Sequence, residues 1–194
     1  MNIIIDDLPY EYEGYLINYN FRTGILISEC LIDGEFEDNE DGEEERIWTS
    51  LRILYGKGVP PPDIALKGLS WFLNCGDVQC NKEQEVSELL FSFFEDRNRI
   101  YSAFMMKYGI NLNKSNMHFF EFLPLFNDLD KTAFRRIVDL RRMTSKEIKR
   151  YSKEDQEAIR KMKQEFALKN KYKNKVQDRM TKFDKILQEA TNAK

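Results

Sequence analysis

One histidine, three cysteines and a surplus of carboxylates are the side chains in this 194-residue chain with the potential for chemistry. Nucleophile–base catalysis usually needs a poised imidazole with convergent partners. The single imidazole is His118, followed by Phe119 and Phe120. A histidine in that setting reads as a helix residue that packs or hydrogen-bonds. Cys75 and Cys80 have four residues between them. Zinc tolerates that spacing, but a tetrahedral site needs two more ligands, and only His118 and Cys30 remain as Cys or His donors. An odd, low cysteine count builds no disulfide framework, so ordinary reduced thiols are expected. Glu43-Glu44-Glu45 sits in a charge run and reads as solvated surface, whereas a glycosidase pair needs a defined separation across a pocket. Gly56-Lys57-Gly58 lacks the full spacing and the following Ser/Thr of a phosphate loop. The expectation is a binder of another protein, without metal or cofactor, and not an enzyme.

Hydrophobic residues at 42% and charged residues at 32% suit a globular chain with a well-solvated surface. No run of about 18 apolar residues exists, so no membrane span is expected. The start, Met1-Asn2-Ile3-Ile4-Ile5-Asp6-Asp7, lacks the basic flank and long apolar stretch of a signal peptide. The expected location is the cytoplasm of the cell that makes the protein. The net charge of −3 hides a division. Residues 1–130 carry 10 Lys/Arg against 24 Asp/Glu, whereas residues 131–194 carry 20 against 9. Glu29 to Glu45 holds ten acids and no base. Opposed halves attract one another within a molecule or between copies, or serve separate partners.

The elements that must position these residues are mostly helical. Tyr10 to Tyr12 and Tyr15 to Ile17 flank Glu13-Gly14, a hairpin signal with glycine supplying φ > 0. A helix is expected from Phe21 to about Ile32, ended by Asp33-Gly34. After an acidic loop over 35–42, a second runs from about Glu43 to Tyr55 with Ile47, Leu51 and Leu54 on one stripe. Pro60-Pro61-Pro62 introduces a third, with Ala65, Leu69 and Phe72 on one face and Gly76 as its C′ residue. Residues 77–91 form a polar connection ending in Leu89-Leu90-Phe91. Ser92-Phe93-Phe94-Glu95 reads as a capping box starting a helix that stops at Gly109. Further helices are expected from Lys114 to about Phe126, bent or ended by Pro124, and from about Lys131 to Arg142, with Phe134, Ile137 and Val138 inward. Another begins at Ser152, aligning Ile159, Met162 and Phe166. The fold class is therefore mainly α, with seven or eight helices and a short N-terminal β-hairpin. Residues 1–150 read as the helical core and 151–194 as a basic helical region whose final helix stands apart.

Aromatic residues mark the candidate contact surface. They concentrate at Trp71-Phe72, at Phe91, Phe93 and Phe94, and at Phe119, Phe120 and Phe122. Successive helical side chains differ by about 100°, so neighbouring aromatics cannot all point inward, and some are expected at a surface. After Asn170, Tyr172, Val176, Met180, Phe183 and Leu187 are spaced by four, four, three and four. That narrow stripe on a charged rod needs a partner surface.

Several segments in order resemble one known family. They are Asn20-Phe21-Arg22-Thr23, then Leu54-Tyr55 with Val59-Pro60 and Asp63, then Leu69-Ser70-Trp71-Phe72-Leu73-Asn74-Cys75-Gly76. Phe94-Glu95-Asp96, Ile100-Tyr101-Ser102-Ala103-Phe104, Tyr108-Gly109-Ile110-Asn111-Leu112 and His118-Phe119-Phe120 complete the core, and the likeness runs through Arg141 and Tyr151 to about Leu168. The set resembles the tail assembly chaperones encoded just upstream of the tape-measure gene in long-tailed phages of Gram-positive bacteria. Members often carry a Trp pair where this chain has Phe119-Phe120. The acidic stretch and the rod after Asn170 are individual to this chain. The resemblance implies binding of the aggregation-prone tape-measure protein, help in recruiting tail-tube subunits around it, and departure before the virion is finished. It transfers no catalytic residue. Self-association is expected from the divided charge. The alternative is a nucleic-acid-associated phage protein using Arg135-Arg136, Arg141-Arg142, Lys146, Lys149 and Arg150 on phosphates. Acids interleaved at helical spacing favour salt-bridged faces instead.

Overall fold

A computed structural model describes residues 2–33, 36, 40–77 and 90–169. The chain opens on a hairpin in which β1 (Glu11–Tyr12) pairs antiparallel with β2 (Tyr15–Leu16), Tyr12 opposite Tyr15. Glu13 and Gly14 have φ of 49° and 81°. Two consecutive positive values make the type I′ turn that matches strand twist.

Eight helices follow among the described residues. They are α1 (Phe21–Asp33), α2 (Glu40–Tyr55), α3 (Pro62–Leu73), α4 (Arg97–Tyr108), α5 (Phe119–Asn127), α6 (Ala133–Arg142), α7 (Ser145–Ile148) and α8 (Lys153–Glu165). Their ends follow from local chemistry. Asn20 accepts from the Arg22 N–H at the head of α1, and Thr132, Thr144 and Ser152 do the same for α6, α7 and α8. Such caps satisfy backbone donors that have no partner within the helix. Pro62 takes the first position of α3, where its missing N–H costs nothing. The carbonyls at the end of α2 are met from outside: the Asn18 N–H donates to Leu54 O at 2.7 Å and its side-chain amide to Ile53 O at 2.8 Å.

Several expectations shift. At the end of α3 both Cys75 (φ 53°) and Gly76 (φ 84°) are left-handed, and the C′ position falls on Cys75, one before Gly76. The Gly76 N–H reaches Trp71 O and the Cys75 N–H reaches Phe72 O, the paired bonds of a Schellman ending. Ser92 does accept from the N–H groups of Phe94 and Glu95, both at 3.2 Å. The returning carboxylate is Asp96, not Glu95, and α4 starts only after it. Glu95 instead accepts from the Lys169 N–H. The fifth helix starts at Phe119 rather than Lys114, because His118 is extended (ψ 147°) and forms an antiparallel bridge with Asn20. Pro124 does not end that helix, which runs on to Asn127. It is exposed, as are Glu121 and Asn127 on the same helix. Ile159 is buried but Met162 is exposed, and Leu168, beyond the helix, is buried. The short α7, with its Thr144–Glu147 capping box, was not expected. The expected final helix over 172–187 lies outside the described residues.

The core is built around α5. Phe119, Phe120, Phe122 and Phe126 are all buried. Phe119 stacks on Phe72 with centroids 5.0 Å apart, and Phe122 stacks on Phe21 at 5.0 Å and on Phe104 at 5.2 Å. Phe126 meets Phe91 at 5.0 Å and Phe134 at 5.5 Å. Pairs of this kind add about 0.5–1.5 kcal/mol beyond the area they bury. Gly24 lets the Phe119 ring lie directly on the backbone of α1, since a Cβ there would overlap the ring carbons. The principal packing joins α1 to α2 and α5, α2 to α3, α4 to α6, and α6 to α8.

Candidate protein-binding surface

The aromatic candidates divide by depth. Phe72, Phe119 and Phe120 are core residues and present nothing to a partner. The spacing argument failed for Phe119-Phe120 because α5 is enclosed on several sides, so adjacent side chains both find apolar neighbours. Trp71, Phe91 and Phe93 are half-buried. Trp71 lies under Tyr12 of the hairpin at 4.9 Å and edge-on to Phe120 at 5.4 Å. Phe91 and Phe93 meet each other edge-on at 5.3 Å and cover Phe126. Phe94, at 50% exposure, is the most exposed of these aromatics among the described residues. Tyr172, Val176, Met180, Phe183 and Leu187 lie outside the described residues.

His118 is occupied by structure. Its Nδ1 accepts the Phe120 N–H at 2.9 Å and its Nε2 lies 2.8 Å from Pro9 O. The Glu121 carboxylate returns to the His118 N–H at 2.9 Å, completing a capping box. The ring stacks on Tyr19 at 5.3 Å. Burial pushes the imidazole below its ordinary value, outweighing the opposite pulls of Pro9 O and Glu121. Cys75 is similarly disposed, its thiol pushed up to about 11 by burial. Its sequence neighbour in the zinc reading, Cys80, lies outside the described residues. Among the described residues no group of three or more His, Cys, Asp and Glu is placed to hold a metal, and no helix is long and apolar enough to cross a membrane.

A groove that the aromatic count did not mark lies between α2 and α3. Its volume is about 440 Å³. Ile47, Trp48 and Leu51 line the α2 side and Pro62 and Leu66 the α3 side, with Glu43 and Glu44 at the rim. Its walls are mostly apolar, and Trp48 stands 39% exposed with its Nε1 3.4 Å from a Glu44 oxygen. An apolar floor with a few polar groups at its edge is the ordinary form of a recognition site. Ile47 was legible as part of an inward stripe, and Trp48, beside it on an acidic helix, was the available signal. Other exposed apolar side chains are Ile4 and Ile5 near the N-terminus, Tyr10 and Leu16 at the hairpin, and Met105 and Met106 on α4.

The basic half is partly spent inside the fold. Arg141 pairs with buried Asp96, and Arg135 lies 3.1 Å from Asp139 and 3.6 Å from Asp130. Arg136, Arg142, Lys146, Lys149 and Arg150 are exposed.

Comparison with known proteins gives one family match, to the model described as Bacteriophage Gp15 protein, over residues 4–168. No curated protein and no solved structure matches.

Proposed function

The chain belongs to the bacteriophage Gp15 protein family, and on that premise we propose that it is a tail assembly chaperone acting in the host cell cytoplasm. It binds the tape-measure protein, keeps it soluble, helps recruit tail-tube subunits, and is absent from the mature virion. The observation that carries the reading is the match over residues 4–168, which spans the ordered segments that resemble such chaperones. The surface is consistent with it. An apolar groove with an acidic rim and scattered apolar side chains suits a helical client held by many modest contacts. His118 supports a binding rather than a catalytic role, because both ring nitrogens are engaged by the backbone.

Co-expression with the tape-measure protein tests the proposal. The client is expected to move from the insoluble to the soluble fraction and to co-purify with this chain. If its solubility is unchanged and nothing co-purifies, the reading fails. The nucleic-acid alternative draws on the exposed bases of α6 to α8. It is weakened by the burial of Arg141 and the carboxylate neighbours of Arg135.

A further inference from the structure

We propose that the α2–α3 groove receives the apolar stripe of residues 171–187 from a second copy of this chain, in a head-to-tail contact. The two surfaces are complementary in both chemistry and charge. On one side are Ile47, Trp48 and Leu66 with Glu43 and Glu44 at the rim, and Asp41 and Glu45 lie in the same turns of α2. On the other are Tyr172, Val176, Met180, Phe183 and Leu187 at helical spacing. Between Lys171 and Leu187 the sequence has six Lys/Arg against two Asp/Glu. A basic-flanked apolar stripe in an acid-rimmed apolar groove buries hydrocarbon and pairs charge together. Among the other exposed apolar side chains, Ile4 and Ile5 are followed by Asp6-Asp7 and meet the same rim with like charge.

The point where the chain leaves the described fold points to a second copy. Leu168 is buried, and the Lys169 N–H donates to Glu95 at the head of α4. One residue spans at most about 3.6 Å, which keeps Tyr172 within roughly 14 Å of Leu168. That anchor lies at the head of α4, whose principal partner is α6, whereas the groove lies between α2 and α3. The described chain therefore ends beside a helix that does not line the groove. A contact between two different surfaces leaves one groove and one stripe open at the ends of every assembly, so copies add in series. The inference rests on groove and stripe alone and is independent of the client.

The test uses the full chain labelled with 5-fluorotryptophan, which gives two ¹⁹F resonances, Trp48 being assigned by Trp48→Phe. Over a dilution series the Trp48 resonance is expected to shift while that of Trp71 stays. In a Val176→Ser/Phe183→Ser variant, which keeps the charge, the Trp48 shift is lost. A Trp48→Glu variant blocks the groove from the other side. Alone, each of these two variants is expected to sediment as a monomer. Mixed, they form a dimer that grows no further, because one intact groove meets one intact stripe. Three results overturn the proposal: a Trp48 resonance indifferent to concentration, a shift that survives in the stripe variant, or a mixture that stays monomeric.

Discussion

His118 shows how a residue with chemical potential becomes part of the frame. Nδ1 accepts the Phe120 N–H, so the remaining ring proton sits on Nε2 and donates to Pro9 O. One neutral imidazole thereby caps α5 and pins the segment before the hairpin. Protonation would put a donor on Nδ1 facing the Phe120 donor. Burial holds the folded imidazole below its ordinary value, while the unfolded chain takes its proton near about pH 6.5. The sign follows. The contribution to stability is complete above the unfolded value and is lost as pH falls toward the folded one, because the unfolded state binds the proton first. Glu121 is the carboxylate facing the ring's own backbone, and its charge opposes the shift without reversing it. His118→Asn keeps a cap acceptor and removes the titration. Thermal melts between about pH 7 and pH 5 should show the wild type losing Tm more steeply than the variant. Parallel profiles would show that this histidine does not couple folding to pH.

Arg141 carries the corresponding load between elements. From α6 its Nη1 reaches Asp96 Oδ2 at 2.6 Å and Leu90 O at 2.9 Å, its Nη2 reaches Asp96 Oδ1 at 3.0 Å, and its Nε reaches Phe166 O at 2.7 Å. A single planar fork thus joins the turn before α4, α6 and the end of α8. Asp96 is wholly buried, with Arg99 at 3.0 Å as its second cation. Arg141→Ala strips the main partner from a buried carboxylate, a change that costs about 3–5 kcal/mol. Arg141→Lys is expected to recover little, since an ammonium cannot reproduce the fork. Denaturant unfolding measures the loss, and hydrogen exchange should show α8 opening while α1 and α5 stay protected. A loss below about 1 kcal/mol, the range of a surface pair, would make the fork incidental. The boundary between reading and surprise runs along the same line. Pro62, Gly109 and Ser152 act within one turn of themselves, so the start of α3, the end of α4 and the start of α8 were legible in the sequence. The Asp96–Arg141 pair joins residues 45 apart, with no local trace. It moved the start of α4 past the Ser92 box, because the carboxylate that Arg141 holds is the one that returns to Ser92. The groove was half legible. Helical spacing marked Ile47 and Leu51 as an apolar stripe, but that Leu66 stands opposite depends on how α3 packs. Burial of both Phe119 and Phe120 depends on neighbours all around α5, which spacing within one helix cannot report.

For the whole molecule the deciding quantity is where the divided charge is neutralised. The acidic part up to residue 130 and the basic part beyond it meet at Asp96–Arg141, inside the fold, and at Asp130–Arg135, on its surface. Those pairs engage two of the 20 bases after residue 130. The acids at the head of α2 and the bases of α6 to α8 sit on different helices, which share no principal packing contact. A molecule divided in this way attracts its own kind in one relative orientation, acidic end to basic end, and repels it in the other. The attraction reaches about 10 Å at 0.1 M salt and about 3 Å at 1 M. Sedimentation of the full chain should therefore show reversible assemblies at low salt that dissociate as salt rises. An apolar groove contact alone would behave differently, since salts that strengthen hydrophobic burial would preserve or tighten it. Dissociation by sodium chloride is the expected result and fits a coat that forms along a client and later leaves it. A monomer at both ionic strengths would remove charge-driven self-association, and assemblies indifferent to salt would assign the contact to apolar burial alone.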